Sequence, residues 1–428
     1  MSSEWSLQKI SALGDFDRGK SKHRPRDATH LYSGPYPFIQ TGDITNANGR
    51  ISSFRQTYSE AGLAQSRLWP AGTLAITIAA NIAETALLTF PACFPDSVVG
   101  FTADPHKADV RFIEYLFQAM RKHVKNQAYG SAQENINLEV LRKLKFPIPP
   151  LAIQVEIADF LSLLDDRITL LRETNATLEA IAQSLFKLWF VDFDPVRAKM
   201  EGRPPEGMDE ATAALFPDGF EESALRVLPR GWRVGSLADL SELNPESWTA
   251  RNQPANIAYV DLANAKDNEI SAVTEFVFAD APSRARRVLR AGDTIVGTVR
   301  PGNRSFAFIH EPAPNLTGST GFAVLRPSAV ENIEFVFLAV TQNASIEHLA
   351  HVADGGAYPA VRPDVVAGLQ CVIPSGEVLR KFHETAAPLL AKASANKKQA
   401  QTLATLRDTL LPRLISGQLR LSETQMPT

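Results

Sequence analysis

Residues 161–189 read LSLLDDRITLLRETNATLEAIAQSLFKLW and carry apolar side chains at heptad spacing. Two positions in each seven-residue repeat are mostly apolar, which is the pattern that predicts a coiled-coil helix. We therefore predict a long helix over residues 151–191, in which the polar Asn175 costs stability but helps to fix the register. The predicted seam residues are Leu161, Leu164, Ile168, Leu171, Asn175, Leu178, Ala182, Leu185 and Trp189.

A second long helix is predicted over residues 375–416, with Pro388 as a point where it starts or kinks. Residues 151–190 contain 3 Lys+Arg and 6 Asp+Glu, whereas residues 377–414 contain 7 and 3. These opposite charges predict antiparallel pairing of two helices, each about 60 Å long at 1.5 Å per residue. Packing of each helix on its own globular unit, and homodimerisation, are the alternatives. The second seam contains Ala386, Leu389, Ala393, Asn396, Ala400, Leu403, Arg407, Leu410 and Leu414.

The two halves of the chain repeat one sequence pattern at an offset of about 220 to 227 residues. The matches occur in the same order in both halves, which chance does not explain. Each half places short β-branched runs before a proline-bounded junction and a long helix. The matched pairs are Trp5 and Trp232, Gly72 and Gly292, Gly100 and Gly321, Ile113 and Ile333, Gly130 and Gly355, and Pro149 and Pro374.

This repeat predicts the fold class and the domain organisation. We expect two similar globular domains of mixed α/β structure, separated by two long helices that form an antiparallel coiled coil with pseudo-two-fold symmetry. The segment between the halves is rich in Pro, Gly and acidic residues, and is either a solvated connection or a docking surface. The predicted boundaries are 1–150 and 231–374 for the domains, 151–191 and 375–416 for the helices, 192–230 for the linker and 417–428 for the tail.

Composition limits the class of protein further. The 428 residues carry a formal net charge of −3, which by itself does not favour nucleic-acid binding. Residues 1–150, however, contain 17 Lys+Arg against 13 Asp+Glu. Cys93 and Cys371 are far apart, which favours free thiols in a reducing compartment. No signal peptide or membrane segment is recognisable, so we expect a cytoplasmic protein with no metal and no cofactor.

Two basic segments are candidate nucleic-acid contacts. Lysines and arginines alternate along residues 18–26, where they are placed to follow phosphates. In the second half, residues 300–304 (RPGNR) put two guanidinium groups and an amide on a turn. Arginine pairs with guanine and asparagine with adenine through two hydrogen bonds, so this composition suits contacts with base edges. A solvated charged loop is the alternative for the first segment.

Catalytic motifs are not recognisable in the sequence. The pattern Gly14–Ser21 (GDFDRGKS) matches a phosphate-binding loop, but Asp15 and Asp17 would place carboxylates inside the phosphate cradle. The only Asn-Pro pair, Asn244-Pro245, continues as Glu-Ser rather than as the tetrapeptide that grips a target adenine. We therefore expect a chain that is not an enzyme. A nucleotide hydrolase and a coiled-coil adaptor that binds proteins are the alternatives.

Several segments together resemble the specificity subunits of Type I restriction–modification systems. The segment YPFIQTGDI at residues 36–44 resembles the opening of a target recognition domain in that family. The corresponding segment of the second half has a different sequence, YVDLA at residues 259–263. The other similar segments are residues 76–82, 90–101, 146–151 with Gln154 and Ile157, 185–195 and 228–232.

This resemblance implies that two target recognition domains each read half of a bipartite double-stranded DNA site. It also implies two adenine methyltransferase subunits as partners, and motor-nuclease subunits in the full restriction complex for phage defence. Catalysis is then expected in those partners. The DNA-contacting residues that we predict are Lys20, Lys22, Arg24, Arg26, Gln40, Asn81, Tyr129, Gly130, Arg286, Arg287, Arg300, Asn303 and Arg304.

Overall fold

A computed structural model describes residues 5–23, 25, 27–79, 81–128, 138–222, 227–354, 356 and 358–421. The chain divides into two compact units. Unit 1 comprises residues 1–170 and 400–428, and unit 2 comprises residues 171–399. Each unit therefore contains one part of each long helix.

Unit 1 contains mixed sheets with short helices. Its strands are β1 (Ser6–Lys9), β2 (Gly14–Arg18), β3 (Tyr32–Phe38), β4 (Gly49–Ile51), β5 (Gln56–Tyr58), β6 (Leu74–Thr77), β7 (Thr85–Leu88), β8 (Val98–Ala103) and β9 (Lys145–Ile148). The helices of this half are α1 (Thr41–Asn46), α2 (Glu60–Ala64), α3 (Val110–Ala119), α4 (Arg121–Ala128), α5 (Leu138–Lys143) and the long α6 (Leu151–Phe190), which continues into unit 2. A five-stranded sheet has the order β2-β8-β6-β7-β4, and β1-β9 and β3-β5 form two-stranded sheets.

Unit 2 is built in a similar way. Its helices are α7 (Asp194–Met200), α8 (Glu210–Ala214), α9 (Ile333–Thr341), α10 (Asn343–Val352), α11 (Pro363–Ala367) and α12 (Gly376–Ile415), the last of which continues into unit 1. Its strands are β10 (Phe220–Glu222), β11 (Val227–Pro229), β12 (Arg233–Ser236), β13 (Ser241–Leu243), β14 (Asn256–Val260), β15 (Ala265–Lys266), β16 (Glu269–Ile270), β17 (Thr274–Val277), β18 (Ala285–Val288), β19 (Thr294–Gly297), β20 (Phe306–Phe308), β21 (Leu316–Ser319), β22 (Phe322–Pro327) and β23 (Gln370–Ile373). Two four-stranded sheets have the orders β13-β22-β19-β20 and β17-β14-β21-β18.

The sequence repeat corresponds to a structural repeat. In the first half Ser6 pairs with Ile148 across β1 and β9, and in the second half Arg233 pairs with Ile373 across β12 and β23. In each pair the two strands come from the start and the end of the half, and the second strand, β9 or β23, directly precedes a long helix. The equivalent β6 and β19 each follow a glycine with positive φ, Gly72 at 80° and Gly292 at 85°. These positions favour glycine because a Cβ atom is strained in that conformation.

One of the sequence matches aligns two residues that do not occupy equivalent positions in the sheets of the two halves. The match of Gly100-Phe101 with Gly321-Phe322 would make the two phenylalanines equivalent. In the structure Leu74 of β6 pairs with Phe101, whereas the equivalent Thr294 of β19 pairs with Leu325. By strand pairing, the position equivalent to Phe101 is therefore Leu325.

The long helices pair in antiparallel orientation within each unit. In unit 2 Asn396 Nδ2 of α12 donates to Asn175 Oδ1 of α6 at 3.0 Å, while Phe190 contacts Phe382 further along. In unit 1 Arg407 donates to Asp165 at 2.6 Å. Residue numbers thus rise on one helix as they fall on the other, and the predicted fold class is confirmed. Helix α12 begins at Gly376 and continues through Pro388, which is exposed.

The seam residues differ in their degree of burial. The structure buries Leu161, Ile168, Leu171, Asn175, Ala182, Trp189, Ala386, Ala393, Asn396, Ala400 and Leu414. It leaves Leu164, Leu178, Leu185, Leu389, Leu403, Arg407 and Leu410 half-buried. Aromatic residues outside the predicted seam add to the core of unit 2, since Phe186, Phe190 and Phe382 pack together.

The segment between the halves is folded rather than simply solvated. It contains α7, α8 and the β10–β11 hairpin. Phe193, Val196, Phe216 and Leu228 are buried in the same hydrophobic cluster as Trp232. Aromatic and aliphatic burial explains why this Pro- and Gly-rich stretch adopts a defined structure, because each large buried side chain contributes about 1.5–3 kcal/mol.

Candidate nucleic-acid interfaces

The phosphate-loop pattern at residues 14–21 is not a loop. Residues Gly14–Arg18 form β2, and their backbone pairs in register with β8. The next amides are also engaged, since Gly19 N–H donates to the Val98 carbonyl at 2.9 Å and Lys20 N–H to the Phe94 carbonyl at 3.1 Å. A phosphate cradle requires backbone amides that face an anion. The structure therefore gives the nucleotide-hydrolase alternative no support.

Two predicted residues of unit 1, Lys20 and Gln40, lie on either side of one backbone segment. Lys20 N–H donates to the Phe94 carbonyl, and Ile39 N–H donates to the neighbouring Cys93 carbonyl at 2.8 Å. The side chains of Lys20 and Gln40 are both exposed. The segments that carry this cation and this amide thus flank the same backbone segment, although they are distant in sequence.

Helix α1 connects Gln40 with Asn81. Gln40 immediately precedes α1, and its backbone N–H donates to Asp43 Oδ2 at 2.9 Å. Near the other end of the helix, Asn81 Nδ2 donates to Thr45 Oγ1 at 3.2 Å. Both amide side chains are exposed. The two predicted amide side chains therefore lie near opposite ends of the same short helix.

The structure describes only some of the other residues of the first half that are predicted to contact DNA. Lys22 is exposed in the segment that follows Lys20. Arg24, Arg26, Tyr129 and Gly130 lie outside the described residues.

Three residues beside Gln40 were missed by the sequence analysis. Gln40 Nε2 donates to Gln56 Oε1 at 2.6 Å, and both residues are exposed. The Arg55 side chain is 80% exposed, with its Nε 3.7 Å from Asp43 Oδ1. Phe54 is also exposed and meets Phe90 edge to face. Arg55 and Phe54 lie in the exposed segment 52–55 between β4 and β5, and Gln56 is the exposed first residue of β5.

In unit 2, Arg286 and Arg287 lie on β18, but their surroundings differ. Arg286 lies over the Phe278 ring at 4.8 Å, and its Nη1 donates to the Ala285 carbonyl at 2.7 Å. Arg287 Nη1 is 3.3 Å from Ser247 Oγ, while its Nε is buried without a hydrogen-bond partner among the described residues. Burial lowers the pKa of Arg287. The neighbouring Arg284 instead pairs with Asp261 at 2.5 Å.

The turn that contains Arg300, Asn303 and Arg304 presents two of these side chains outwards. Arg300 has φ of 47°, and its guanidinium lies 5.1 Å from the Tyr358 ring centre. Asn303 is exposed. The Arg304 side chain instead contacts other residues of unit 2. It forms an ion pair with Asp267, and its Nη1 donates to Asn343 at 2.9 Å. The side chains of Arg300 and Asn303 are exposed, whereas Arg304 is half-buried.

Backbone bonds connect this turn with β18. Thr320 N–H donates to the Arg284 carbonyl at 2.8 Å, and Thr298 N–H donates to the Gly321 carbonyl at 2.9 Å. The turn between β21 and β22 thus lies between the two arginine-containing segments. Residues that precede each of the two arginine-containing segments, Arg284 and Thr298, thus bond to the same turn.

Each half also buries a glutamate at an equivalent position of the repeat. Burial raises the pKa of Glu114 in α3 to about 8. Burial likewise raises the pKa of Glu334 in α9, whose carboxylate is 2.5 Å from His383 Nδ1. Within the described residues, no group of three or more His, Cys, Asp or Glu side chains is arranged to hold a metal ion. None of the described helices has the length and apolarity of a membrane span.

Comparisons with known proteins agree with this architecture. Residues 2–180 match the family described as Type I restriction modification DNA specificity domain. The MjaIX specificity subunit of Methanocaldococcus jannaschii, a Type I restriction enzyme subunit, is 24% identical over 434 residues, covering 98% of this chain and 94% of that protein. The HindI specificity subunit of Haemophilus influenzae is 24% identical over 371 residues, covering 73% and 78%. The crystal structure of a Type I restriction–modification S subunit from M. genitalium has a TM-score of 0.56 at 16% identity and covers 96% of both chains.

Proposed function

We propose that this chain is a Type I restriction–modification specificity subunit, and that each of its two units reads one half of a split DNA sequence. The chain is the non-catalytic sequence-recognition subunit, and catalysis lies in partner subunits. The observation that carries the proposal is the structural repeat, in which β1–β9 and β12–β23 pair in the same register beside two long helices.

The proposed contacts divide into those that hold phosphates and those that read bases. Phosphate contacts fix position, and contacts with base edges provide specificity. We assign Lys20 and Lys22 to phosphates because both are exposed cations. Arg300 and Asn303 suit guanine and adenine edges, since both side chains project from one turn. The full proposed set is Lys20, Lys22, Arg24, Arg26, Gln40, Asn81, Tyr129, Gly130, Arg286, Arg287, Arg300, Asn303 and Arg304.

The proposed recognition domains comprise residues 1–150 and 231–374, and the long helices 151–191 and 375–416 connect them with the linker at 192–230. The proposed DNA is double-stranded, and the proposed site of action is the cytoplasm. A chain with these domains needs no catalytic residues of its own, because it only selects the sequence on which a partner acts.

Two methyltransferase subunits and the motor-nuclease subunits are the proposed protein partners. In unit 1, Leu163 and Leu170 of α6 are 60% and 52% exposed, although they are large and apolar. They are seven residues apart, so they lie on one face of the helix. Exposed apolar residues on one helical face are typical of an interface, and we propose this face as a docking surface for a methyltransferase subunit.

The experiment that tests the function is a genome-wide map of methylated adenines in cells that contain the methyltransferase partner, with and without this chain. We expect a split sequence motif that is methylated only when the chain is present. Methylation that is identical in both strains would contradict the proposal. Purified chain that binds its partner but shows no sequence-dependent binding of duplex DNA at modest salt would favour the protein-adaptor alternative.

A further inference from the structure

We propose that Gln56 reads an adenine in the major groove and that Gln40 is the positioning residue for its amide. This inference rests on the proposed function, because it assigns one base contact to unit 1. Its starting point is the exposed pair in which Gln40 Nε2 donates to Gln56 Oε1 at 2.6 Å. Side-chain amides that bond to one another at a surface are held in a defined orientation, unlike single solvated glutamines.

The hydrogen bond between Gln40 and Gln56 leaves the Gln56 amide with the acceptor and the donor that adenine requires. Gln56 Oε1 accepts from Gln40 with one lone pair and retains a second, while the Nε2 of Gln56 retains its donor hydrogens. Adenine presents an N6 donor and an N7 acceptor in the major groove, and a glutamine amide satisfies both at once. Guanine presents acceptors at both of these positions, so the oriented amide oxygen of Gln56 would face another acceptor.

The backbone around the pair fixes its position. Gln56 begins β5 and pairs with Phe38 of β3. The rings of Phe38 and Tyr58 stack on the same face of this sheet as Gln56, at a centroid distance of 4.1 Å, and both residues are buried. Gln40 follows Phe38 by two residues, and its N–H is held by Asp43 at 2.9 Å. Both amides therefore project from backbone that is anchored by a packed aromatic core.

Positive charge lies beside the pair. Arg55 directly precedes Gln56, and its side chain is 80% exposed. Lys20 lies across the Cys93–Phe94 segment from Ile39. A base-reading amide needs neighbouring contacts to phosphates that bring it to the groove. Exposed cations on the segments that flank Gln40 and Gln56 meet this requirement.

The test uses the full chain in complex with its methyltransferase partner and compares Gln56→Ala and the isosteric Gln56→Glu with the wild type. We expect both variants to lose discrimination at one base pair of one half-site, where the wild type requires adenine. A bidentate contact of this kind corresponds to roughly 5- to 150-fold in discrimination. Gln40→Ala should relax the same base pair to a smaller extent, because Gln56 remains but is no longer oriented.

The matched control is Gln401→Ala, which removes an exposed glutamine from α12 and should leave recognition unchanged. Thermal unfolding of each variant identifies any loss of folding, and the conservative Gln56→Glu keeps the size of the side chain. The inference is overturned if Gln56→Ala and Gln56→Glu retain wild-type discrimination, or if the relaxed base pair contains no adenine. A wild-type complex without any sequence preference would instead refute the proposed function.

Discussion

Glutamate burial shows how a single residue can couple folding to pH. Glu114 lies in α3 among the buried residues of unit 1, and its Oε1 accepts a hydrogen bond from Gln118. Burial raises its pKa to about 8 from the ordinary value of 4.5. The folded chain therefore binds a proton that the unfolded chain releases between these pH values. The contribution of Glu114 to stability is therefore fully present below its unfolded pKa and is lost as pH rises through its folded pKa.

We predict that Glu114→Gln stabilises unit 1 at about pH 8 and flattens the dependence of stability on pH. The amide keeps the shape of the side chain but cannot ionise, so its burial no longer becomes costlier as pH rises. The melting temperature at that pH should rise by several degrees, since 1 kcal/mol corresponds to about 2–4 °C in domains of this size. Thermal unfolding between about pH 5 and 9 measures the effect.

The control for this prediction is Glu139→Gln in α5, where the side chain is 79% exposed. Its pH profile should follow that of the wild type. Parallel pH profiles for Glu114→Gln and the wild type would mean that Glu114 is not the source of the dependence.

At the scale of elements, the pairing of the long helices depends on one buried polar contact. Asn175 and Asn396 are 6% and 2% exposed and bond to one another across α6 and α12. Apolar residues at seam positions are more stabilising than amides, but a buried amide pair penalises other registers. About one turn further along α6, Glu179 pairs with Lys397 at 2.7 Å. We interpret these contacts as the features that select the register in unit 2.

We predict that Asn175→Leu and Asn396→Leu each destabilise unit 2 by about 1–3 kcal/mol, because each leaves the other amide buried without a partner. The double variant should recover most or all of this loss, since no unsatisfied amide remains. Urea unfolding of the wild type, both single variants and the double variant gives the coupling energy as a double-mutant cycle. Additive losses in the double variant would show that the amides act independently.

At the scale of the whole molecule, two units with similar construction carry different side chains on their candidate interfaces. Unit 1 presents Lys20 and the Gln40–Gln56 pair, whereas unit 2 presents Arg300 and Asn303. A repeated scaffold with different surface residues is suited to reading two different half-sites.

We predict that Arg300→Ala relaxes one base pair in one half of the methylated motif, while Gln56→Ala acts only on the other half. The reason is that the two residues belong to different units, each with its own core. Methylation mapping of each variant, and of Arg304→Ala as a comparison, measures both halves at once. Arg304 is already paired with Asp267, so its loss should affect stability more than specificity. Changes by Arg300→Ala and Gln56→Ala in the same half would contradict this division.

Much of the architecture was predictable from the sequence, because heptads and repeats are periodic and periodicity is visible without coordinates. The seven-residue spacing from Leu161 onwards predicted α6, and the matched junctions at Pro149 and Pro374 predicted the equivalent positions of α6 and α12. The polar Asn175 was recognisable as a register position for the same reason.

The candidate interfaces depended on contacts between residues that lie far apart in the chain. Only tertiary structure showed that residues 14–18 form a strand, that Gln56 accepts a hydrogen bond from Gln40, and that Arg304 forms an ion pair with Asp267. Residue type and spacing carry the preferences of a segment for helix or strand. They do not record which distant side chain satisfies an amide or neutralises a guanidinium, because such pairing is decided when the sheets and helices pack.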